Sequence, residues 1–334
     1  MKCVKVPLKQ LNDTRIKLME EGLMNMEYRI KTDAEYGYIP INDNVNDYEI
    51  VDIELDPMKK VPHNFSELLE GELTSEEIED LRTSFDTIGD IVILEIPDNL
   101  QDKKFIIGDA ALKFTKRKSI YMKKSAIKGT TRVRDLEFLA GIDDSVTIHK
   151  EHGSRLKLDV REVYFSPRLA TERKRVMESV KDGEKILDMF CGIGPFPIVI
   201  AKNKDVEITA VDINESAIKY LDENIKLNKL MGSIQTYCGD VREVSKTFNS
   251  KFDRIIMNLP GLAYTFLDVA VDLIEDNGII NYYEFSDSYE QGQKRVKDAA
   301  NEVGKKAEII NCRKVKSTSP GEWHIAIDAK ISKK

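Results

Sequence analysis

From about residue 161 onwards, short apolar runs alternate with helical patterns, and this alternation constrains the fold more than any other feature. The runs typical of strands are KILDMF (185–190), VEITAVD (206–212), IQTYCGD (234–240), FDRIIMN (252–258) and GIINYYEF (278–285). The patterns that predict helices are PFPIVIAKN (195–203), ESAIKYLDENIKLNKL (215–230), AYTFLDVAVDLIED (263–276) and YEQGQKRVKDAANEVG (289–304). Strands joined by helical crossovers predict an α/β fold with a doubly wound, mainly parallel sheet, and residues 307–331 predict a closing hairpin.

Two smaller α+β blocks precede this sheet. The first combines short strands with one helix and ends in a proline-bounded stretch, DPMKKVP, that is typical of a linker. The second contains Thr74 and Glu77 in capping-box spacing, and a hairpin that turns at His152 and Gly153. The predicted domains are 1–62, 63–160 and 161–334.

Composition narrows the class of protein. The chain has 334 residues, of which 41% are hydrophobic and 33% are charged, as in soluble globular proteins. No apolar stretch approaches the roughly 20 residues that span a bilayer, and the first residues lack the apolar core of a signal peptide. The four cysteines are far apart and form no C-x-x-C pair, which favours a reducing compartment. We therefore expect a cytoplasmic protein with no membrane partner and no metal site.

One segment is strongly basic although the chain carries a net charge of −7. Residues 112–134 contain no acid, and their cations are Lys113, Lys116, Arg117, Lys118, Lys123, Lys124, Lys128, Arg132 and Arg134. A local field matters more to a polyanion than the sum over the chain, so the segment favours contact with nucleic-acid phosphates. The alternative is a solvated basic face.

The turn CGIGPFP follows the first strand of the predicted sheet, where such sheets bind ligands. Gly192 and Gly194 permit a tight turn and close approach of the backbone to a ligand. The dinucleotide fingerprint requires a third glycine three residues after Gly194, and Pro197 stands there instead. The match to a dinucleotide site is therefore incomplete.

Acidic and amide side chains at successive strand ends indicate a different cofactor. Asp188, just before the turn, would repel a pyrophosphate but favours the cationic groups of S-adenosylmethionine. Asp212 is placed to hold both ribose hydroxyls, Asp240 to accept from the adenine amino group, and Asn258 ends the fourth strand. Four such residues in this order predict an S-adenosylmethionine site.

The segments D-M-F-C-G-I-G-P-F, V-D-I-N, G-D-V-R-E and I-M-N-L-P resemble the core of the archaeal and eukaryotic tRNA (guanine-37-N1)-methyltransferases. RVRDLEFLAG (132–141), TIHKEHG (147–153) and VYFSPRLATER (163–173) resemble the segments that precede that core. The resemblance implies a seven-stranded class I methyltransferase sheet, an N-terminal tRNA-docking domain, and methyl transfer to N1 of guanosine 37. It also implies an enzyme that binds tRNA, and a monomer, because one chain contains both binding and catalytic parts.

The resemblance implies individual roles as well. Glu172 corresponds to the proposed general base and Arg132 to the arginine that grips O6, while Asn258 bonds the guanine edge. The residues expected at the cofactor are Asp188, Phe190, Cys191, Gly192, Gly194, Asp212, Ile213, Asp240, Val241 and Asn258. The residues expected at the tRNA are Tyr164 and Pro260 beside the base, Arg168 and Arg173 flanking it as phosphate contacts or modulators of Glu172, and Lys116, Arg117 and Lys118.

Other interpretations stay open. If the family resemblance is set aside, Glu172 is interpreted as a solvated helix residue and Arg132 as one more phosphate contact. His149 and His152 are expected on the surface of the hairpin. The same scaffold also fits methyl or aminocarboxypropyl transfer to the wyosine precursor at the same tRNA position. Two interpretations from other classes are an NAD-dependent oxidoreductase that uses CGIGPFP as its pyrophosphate turn, and a tRNA-binding protein with a relict cofactor site. Asn258-Leu259-Pro260 departs from the N/D-P-P-Y/F signature of exocyclic-amine methyltransferases, which indicates a ring nitrogen as target.

Overall fold

The computed structural model describes residues 1–43, 45–58, 62–124 and 134–334. The chain divides into two compact units, residues 1–63 and residues 64–334. The predicted boundary at residue 62 lies next to this division, whereas the predicted boundary at residue 160 does not separate two units. Among the described residues, no helix combines the length and apolar character needed to cross a membrane.

The first unit is a four-stranded antiparallel sheet with one helix. Its elements are β1 (Lys2–Pro7), α1 (Leu11–Glu20), β2 (Lys31–Thr32), β3 (Tyr36–Pro40) and β4 (Glu49–Asp52), and the strand order is β2-β3-β1-β4. Alternate residues of β1 are buried with Leu18 of α1 and Ile39 of β3, as a period of two on one sheet face requires. Within the run EYRIKT (27–32), Lys31 and Thr32 pair with β3, and Tyr28 forms an isolated antiparallel bridge with Pro57.

The second unit begins with a smaller mixed sheet. Its elements are α2 (Ser75–Asp80), β5 (Asp86–Ile88), β6 (Ile91–Leu94), α3 (Lys104–Thr115), β7 (Ser119–Lys123) and β8 (Leu136–Gly141). Thr74 and Glu77 form the predicted capping box at the start of α2, which ends at Asp80. The pattern analysis missed α3, whose last residues belong to the basic segment. Residues 112–115 of that segment therefore lie on a helix, and residues 119–123 lie on a strand.

A hairpin joins this sheet to the larger one. It consists of β9 (Val146–Glu151) and β10 (Ser154–Asp159), and His152 and Gly153 turn it at positive φ, as predicted. Leu156 and Leu158 of β10 are buried in one cluster with Ile193 and Leu221 of the larger sheet's layer. The hairpin thus packs with the C-terminal part, which explains why residue 160 marks no boundary between compact units.

The larger sheet has seven strands in the order β13-β12-β11-β14-β15-β17-β16. Its elements, after α4 (Ala170–Ser179), are β11 (Lys185–Asp188), α5 (Pro195–Asn203), β12 (Glu207–Asp212), α6 (Glu215–Leu227), β13 (Ser233–Cys238), α7 (Val241–Val244), β14 (Phe252–Met257), α8 (Leu267–Leu273), β15 (Ile274–Ser286), α9 (Glu290–Glu302), β16 (Lys305–Ser319) and β17 (Glu322–Lys333). The first five strands in this order are parallel, and β17 is antiparallel to both its neighbours. The predicted doubly wound, mainly parallel sheet is confirmed.

Two boundaries differ from the sequence patterns. The helix predicted over 263–276 ends at Leu273, and the strand predicted from 278 already begins at Ile274. Strand order reverses between β11 and β14, and this switch point is where an open α/β sheet forms a ligand crevice.

Candidate functional site

A cavity of about 330 Å³ lies at the carboxyl ends of β11, β12 and β14, at the switch point. The turn after β11 forms one wall. Gly192 and Gly194 have φ of 54° and 81°, which glycine adopts without steric cost. A Cβ on Gly194 would lie 2.2 Å from Leu221 Cδ1, whereas a Cβ on Gly192 would meet only the Tyr164 carbonyl oxygen, at 4.0 Å. Gly194 therefore serves packing, and Gly192 keeps the cavity open.

Cys191 also lines this wall. Its side chain is buried, and burial raises the pKa of the thiol well above its usual value. A thiol that stays protonated is a poor nucleophile, so Cys191 acts as a small lining residue.

Two carboxyl groups lie at the base of the turn, and they are placed differently. Asp212 lines the cavity and accepts hydrogen bonds from Gly192 N at 2.7 Å and Asn214 N at 2.9 Å. Asp188 is 1% exposed, does not line the cavity, and accepts from Phe190 N at 3.2 Å. The structure therefore places Asp188 behind the turn, where its carboxyl group holds the turn's backbone from below the cavity surface.

Burial raises the pKa of Asp188 to about 8; the hydrogen bond from Phe190 opposes this rise and the charge of Asp212 adds to it. Burial likewise raises the pKa of Asp212, against the hydrogen bonds from Asn214 and Gly192. Neither carboxylate forms an ion pair within the described part of the chain. Because an unpaired buried carboxylate is unfavourable, this end of the cavity favours a cationic ligand.

The residues Ile213, Asp240 and Val241 also line the cavity. Asp240 caps α7 by accepting from Arg242 N at 2.9 Å, and its side chain is half exposed to the cavity and solvent. Val241 is buried, whereas Ile213 is 46% exposed. Two aliphatic side chains beside a carboxylate suit a flat heteroaromatic ring that carries a donor.

Arg242 joins α7 to the loop after β14, and sequence analysis missed this link. Its Nη2 donates to the Thr265 carbonyl oxygen at 2.7 Å, and its guanidinium lies 3.7 Å from the centre of the Phe266 ring. The Phe266 ring in turn meets Phe190 edge to face, at 5.0 Å between ring centres. The predicted cofactor residue Phe190 thus belongs to a cavity wall in which Arg242 packs on Phe266 and Phe266 packs on Phe190.

Asn258 follows β14, where the sequence places it, and lines the cavity together with Pro260. The Asn258 Oδ1 atom is buried and has no hydrogen-bond partner among the described residues. A buried carbonyl oxygen without a partner is rare, so it is available to a ligand that donates a hydrogen bond. Tyr164 lines the cavity as well.

Glu172 lies in the first turn of α4 and is 1% exposed. Its Oε1 accepts from Tyr283 Oη at 2.8 Å and from Arg175 Nη2 at 2.7 Å, and Arg313 Nε lies 3.5 Å from Oε2. Arg175 also pairs with Asp328 at 2.5 Å. Glu172 is therefore not a solvated residue, and it does not line the cavity, although Leu169 and Arg173 on either side of it do.

The two arginines expected at the tRNA are placed differently. Arg173 is 1% exposed, and its Nε and Nη2 donate to the two oxygens of Glu151 at 2.6 and 2.5 Å. This pairing occupies the Arg173 guanidinium, although Arg173 also lines the cavity, and its expected role as a phosphate contact or modulator of Glu172 stays a prediction. Arg168 is half exposed and pairs with Asp86 at 2.5 Å.

The basic segment contains both paired and unpaired cations. Lys118 pairs with Asp144 at 2.5 Å, and Arg117 donates to the Gly89 carbonyl oxygen at 3.4 Å. Lys116 ends α3 with φ of 53° and has no ion pair with a described residue. Arg132 and Lys128 of the basic segment lie outside the described part of the chain. The contact expected between Arg132 and guanine O6 therefore stays a prediction.

A second, larger cleft of about 940 Å³ adjoins the cavity, between the smaller sheet and the larger one. Its cationic lining residues are Arg82, Lys123, Lys124, Arg134, Arg168 and Lys316. Arg134 Nε is buried without a hydrogen-bond partner among the described residues. A cleft with this lining favours an anionic polymer.

The two histidines of the hairpin, His149 and His152, both contact backbone groups outside the hairpin. His149 Nδ1 accepts from Gly89 N at 3.3 Å, burial lowers the pKa of its imidazole, and its ring packs on Phe165. His152 Nε2 lies 2.8 Å from the Ala170 carbonyl oxygen. His149 is thus an anchor between sheets and not the surface residue expected. Within residues 1–43, 45–58, 62–124 and 134–334, no group of His, Cys, Asp and Glu is arranged to hold a metal ion.

Three family models match the chain. The TRM5/TYW2 methyltransferase domain matches residues 147–310, the TYW2 N-terminal domain matches residues 65–145, and the tRNA methyltransferase 5 N-terminal domain matches residues 3–49. The first match begins within β9, in agreement with the packing of the hairpin on the larger sheet.

Two curated relatives match along nearly the whole chain, and a third matches along three quarters of it. The tRNA (guanine(37)-N(1))-methyltransferase Trm5b of Pyrococcus abyssi is 43% identical over 98% of both chains. The enzyme of the same name from Methanocaldococcus jannaschii is 40% identical over 99% of both chains. A tRNA(Phe) (4-demethylwyosine(37)-C(7)) aminocarboxypropyltransferase of M. jannaschii is 35% identical over 75% of this chain and 98% of its own.

Solved structures of the same family are similar to this chain in fold. A complex of aTrm5 with tRNALeu has a TM-score of 0.86 at 39% identity and covers 99% of both chains. M. jannaschii TYW2 in complex with AdoMet has a TM-score of 0.59 at 31% identity, over 75% of this chain and all of its own.

Proposed function

The chain belongs to the TRM5/TYW2 methyltransferase family, and we propose that it transfers a methyl group from S-adenosylmethionine to N1 of guanosine 37 in tRNA. One observation carries the choice of reaction. The likeness to two guanine-37-N1 enzymes extends over 98% or more of the chain, N-terminal unit included, whereas the likeness to the wyosine-precursor enzyme covers 75%.

The cavity fits S-adenosylmethionine. The buried carboxylates of Asp188 and Asp212 favour its ammonium and sulfonium groups, and the open side of Gly192 accommodates its approach to the turn. Asp240, Val241 and Ile213 suit the adenine ring and its amino group, and Asp212 suits the ribose hydroxyls. When bound, S-adenosylmethionine supplies the methyl group as a carbon attached to a cationic sulfur. The residues of this chain bind and orient the two reactants.

The target guanine enters the same cavity beside Asn258, Tyr164 and Pro260. Asn258 Oδ1, buried and without a partner among the described residues, accepts from an N–H on the guanine edge and fixes the plane of the ring. Guanine N1 carries a proton at neutral pH, so methylation requires a base at N1 and a donor at O6. Glu172 is the base in this proposal and Arg132 the donor.

Glu172 reaches the base only if its carboxylate turns past two cavity-lining residues, Leu169 just before α4 and Arg173 on α4. Tyr283 and Arg175 hold the carboxylate in its buried position, so guanine binding exchanges one of these hydrogen bonds for one from N1. The N1 proton then passes to Glu172 as N1 bonds to the methyl carbon. The bond between that carbon and the sulfonium sulfur breaks with its electron pair on sulfur, which leaves S-adenosylhomocysteine as the second product.

The tRNA strand on either side of guanosine 37 lies in the 940 Å³ cleft, whose cations neutralise its phosphates. The exposed cations Lys116 and Arg117 extend this basic surface. We further propose a monomer that acts in the cytoplasm, because one chain contains the cofactor cavity, the cleft and the N-terminal unit.

The test is transfer of labelled methyl from S-adenosylmethionine to an unmodified tRNA transcript with guanosine at position 37, beside a transcript with adenosine there. N1-methylguanosine from the first transcript alone supports the proposal. Product only on tRNA that already carries the wyosine precursor would replace it with the alternative reaction. Light scattering of the enzyme with and without tRNA tests the monomer.

A further inference from the structure

The cofactor cavity and the larger cleft meet at a junction formed by residues that line both. These shared residues are Tyr164, Phe165, Ser166, Phe285 and Lys316. Lys316 is the one cation among the five. Any ligand that occupies both spaces passes this side chain.

Lys316 lies on β16, opposite His324 of β17, and the register of the two strands shifts between Lys314 and Lys316. Such an irregularity redirects the side chains next to it. The Lys316 ammonium forms no ion pair and no hydrogen bond with any residue that the structure describes. By contrast, Lys123 and Arg168 of the same cleft pair with Asp86. Lys316 thus retains its charge for a ligand.

A nucleotide that enters an enclosed active site leaves its stack while its backbone remains with the neighbouring nucleotides. Here the base occupies the 330 Å³ cavity and the adjoining strand occupies the 940 Å³ cleft. The sugar and phosphate of the extruded nucleotide therefore lie at the junction. This step rests on the proposed function, which supplies the nucleic-acid substrate.

We propose that Lys316 binds the phosphate of the extruded target nucleotide and stabilises the nucleotide in its extruded position. The contact exists only when the base is in the cavity. One phosphate among many contributes little to total tRNA affinity, whereas it contributes directly to the fraction of bound tRNA whose base is extruded. Lys316 consequently affects the rate of methyl transfer more than the Kd of tRNA.

The test uses single-turnover methyl transfer by the full-length enzyme with Lys316→Gln, Lys316→Arg and the control Lys314→Gln. Lys314 is an exposed cation on the same strand, its ammonium lies 4.4 Å from the centre of the Trp323 ring, and it lines neither space. Loss of a charge-assisted hydrogen bond predicts a rate about 10-fold lower for Lys316→Gln. The tRNA and cofactor Kd change less than about threefold, Lys316→Arg keeps most of the rate, and Lys314→Gln matches the wild type.

A second measurement assigns the contact to the phosphate. tRNAs carrying one neutral methylphosphonate, on the 5′ or the 3′ side of nucleotide 37, are compared with unmodified tRNA. At one of these two positions, we expect the neutral linkage to slow methyl transfer by the wild-type enzyme about as much as the Lys316→Gln substitution does on unmodified tRNA. The same neutral linkage should not slow the Lys316→Gln variant any further. Independent, multiplicative effects at both positions, or a Lys316→Gln rate equal to that of wild type, would overturn the inference.

The proposed function is tested separately in the same experiment. If the wild-type enzyme does not methylate guanosine 37 on unmodified tRNA, the proposed function fails. If it does methylate guanosine 37 and only the Lys316 comparisons fail, the inference alone is wrong.

Discussion

The Tyr283 hydroxyl donates a 2.8 Å hydrogen bond to Glu172 Oε1, and so joins the fifth parallel strand of the large sheet to the first turn of α4. Burial and the nearby Glu172 carboxylate raise the pKa of Tyr283 far above its usual value, so the hydroxyl stays a donor. Arg175 and Arg313 approach the same carboxylate from α4 and from β16. The residue proposed as general base is thus oriented by a helix and two strands.

Glu172→Gln is expected to slow single-turnover methyl transfer by at least about 100-fold, the lower range for loss of a general base. The Kd values for cofactor and tRNA should change much less, because Glu172 lines neither the cofactor cavity nor the adjoining cleft. Tyr283→Phe removes an orienting donor and keeps the carboxylate, so its rate should fall by less. Rapid-quench kinetics give the rates and equilibrium binding gives the Kd values. An unchanged rate for Glu172→Gln would exclude Glu172 as the base.

The pair Asp188 and Asp212 predicts a pH dependence of stability. The pKa of Asp188 is raised to about 8, so between its ordinary value near 4 and pH 8 the folded state binds more protons than the unfolded state. Folding stability of the cofactor-free enzyme therefore falls as the pH rises through this window and levels off above about pH 8. The raised pKa of Asp212 acts in the same direction.

Asp188→Asn is the matched variant, because an amide keeps the shape and the acceptor for Phe190 N but has no proton to lose. Its melting temperature should equal that of the wild type below about pH 4 and exceed it near pH 9. Thermal unfolding across this range gives the result. Parallel curves for the two proteins would show that the Asp188 carboxyl does not titrate in the window.

Arg242→Gln is expected to weaken cofactor binding by about 10-fold, because it removes a charge-assisted hydrogen bond to the Thr265 carbonyl and a cation–π contact with Phe266. Arg242 is 41% exposed, so the fold should persist. Lys246→Gln, an exposed cation that pairs with Glu243 nearby, is the control. Calorimetric titration with S-adenosylmethionine and, separately, with tRNA measures both affinities. Equal weakening of both would contradict a role confined to the cofactor wall.

The strand ends were predictable from sequence because a parallel sheet places the residue after each strand at one edge. Asp212, Asp240 and Asn258 all line one cavity for this reason. Asp188 follows the same rule, yet it ends up behind the turn, since the G-x-G turn folds over it. Whether a strand-end carboxylate faces the ligand depends on side-chain direction, which a sequence pattern does not contain.

Hydrogen-bond and ion-pair partners that are distant in sequence could not be predicted from sequence patterns. Tyr283 is 111 residues from Glu172, and Arg242 is 23 residues from Thr265. No periodicity links such pairs, because they meet only after the sheet has assembled. The same holds for Arg173, which in sequence is one of several cations and in the structure is paired with Glu151.

The basic segment yields a graded prediction about tRNA binding. Lys116 has no ion pair among the described residues, whereas Lys118 pairs with Asp144. Neutralising Lys116 and Arg117 together should therefore reduce the slope of log affinity against log salt by about 0.7–0.9 for each phosphate that is no longer neutralised. Lys118→Gln alone should change the slope least. Filter binding at several salt concentrations measures the slopes, and an unaltered slope for the double variant would show that these two cations face solvent in the complex.

The pair Arg173 and Glu151 predicts a stability effect. Both side chains are at most 3% exposed and form two hydrogen bonds, so Arg173→Met leaves Glu151 as a buried carboxylate without its cation. Removal of one partner from such a pair costs about 3–5 kcal/mol of unfolding free energy. The double variant Arg173→Met with Glu151→Leu removes both charges and should recover a large part of the loss. Lys174→Gln, at an exposed neighbouring position, should leave stability unchanged. Urea unfolding of the wild type, of Arg173→Met and Glu151→Leu singly, of the double variant and of the Lys174→Gln control measures the coupling. Strictly additive effects would show that the two side chains act independently.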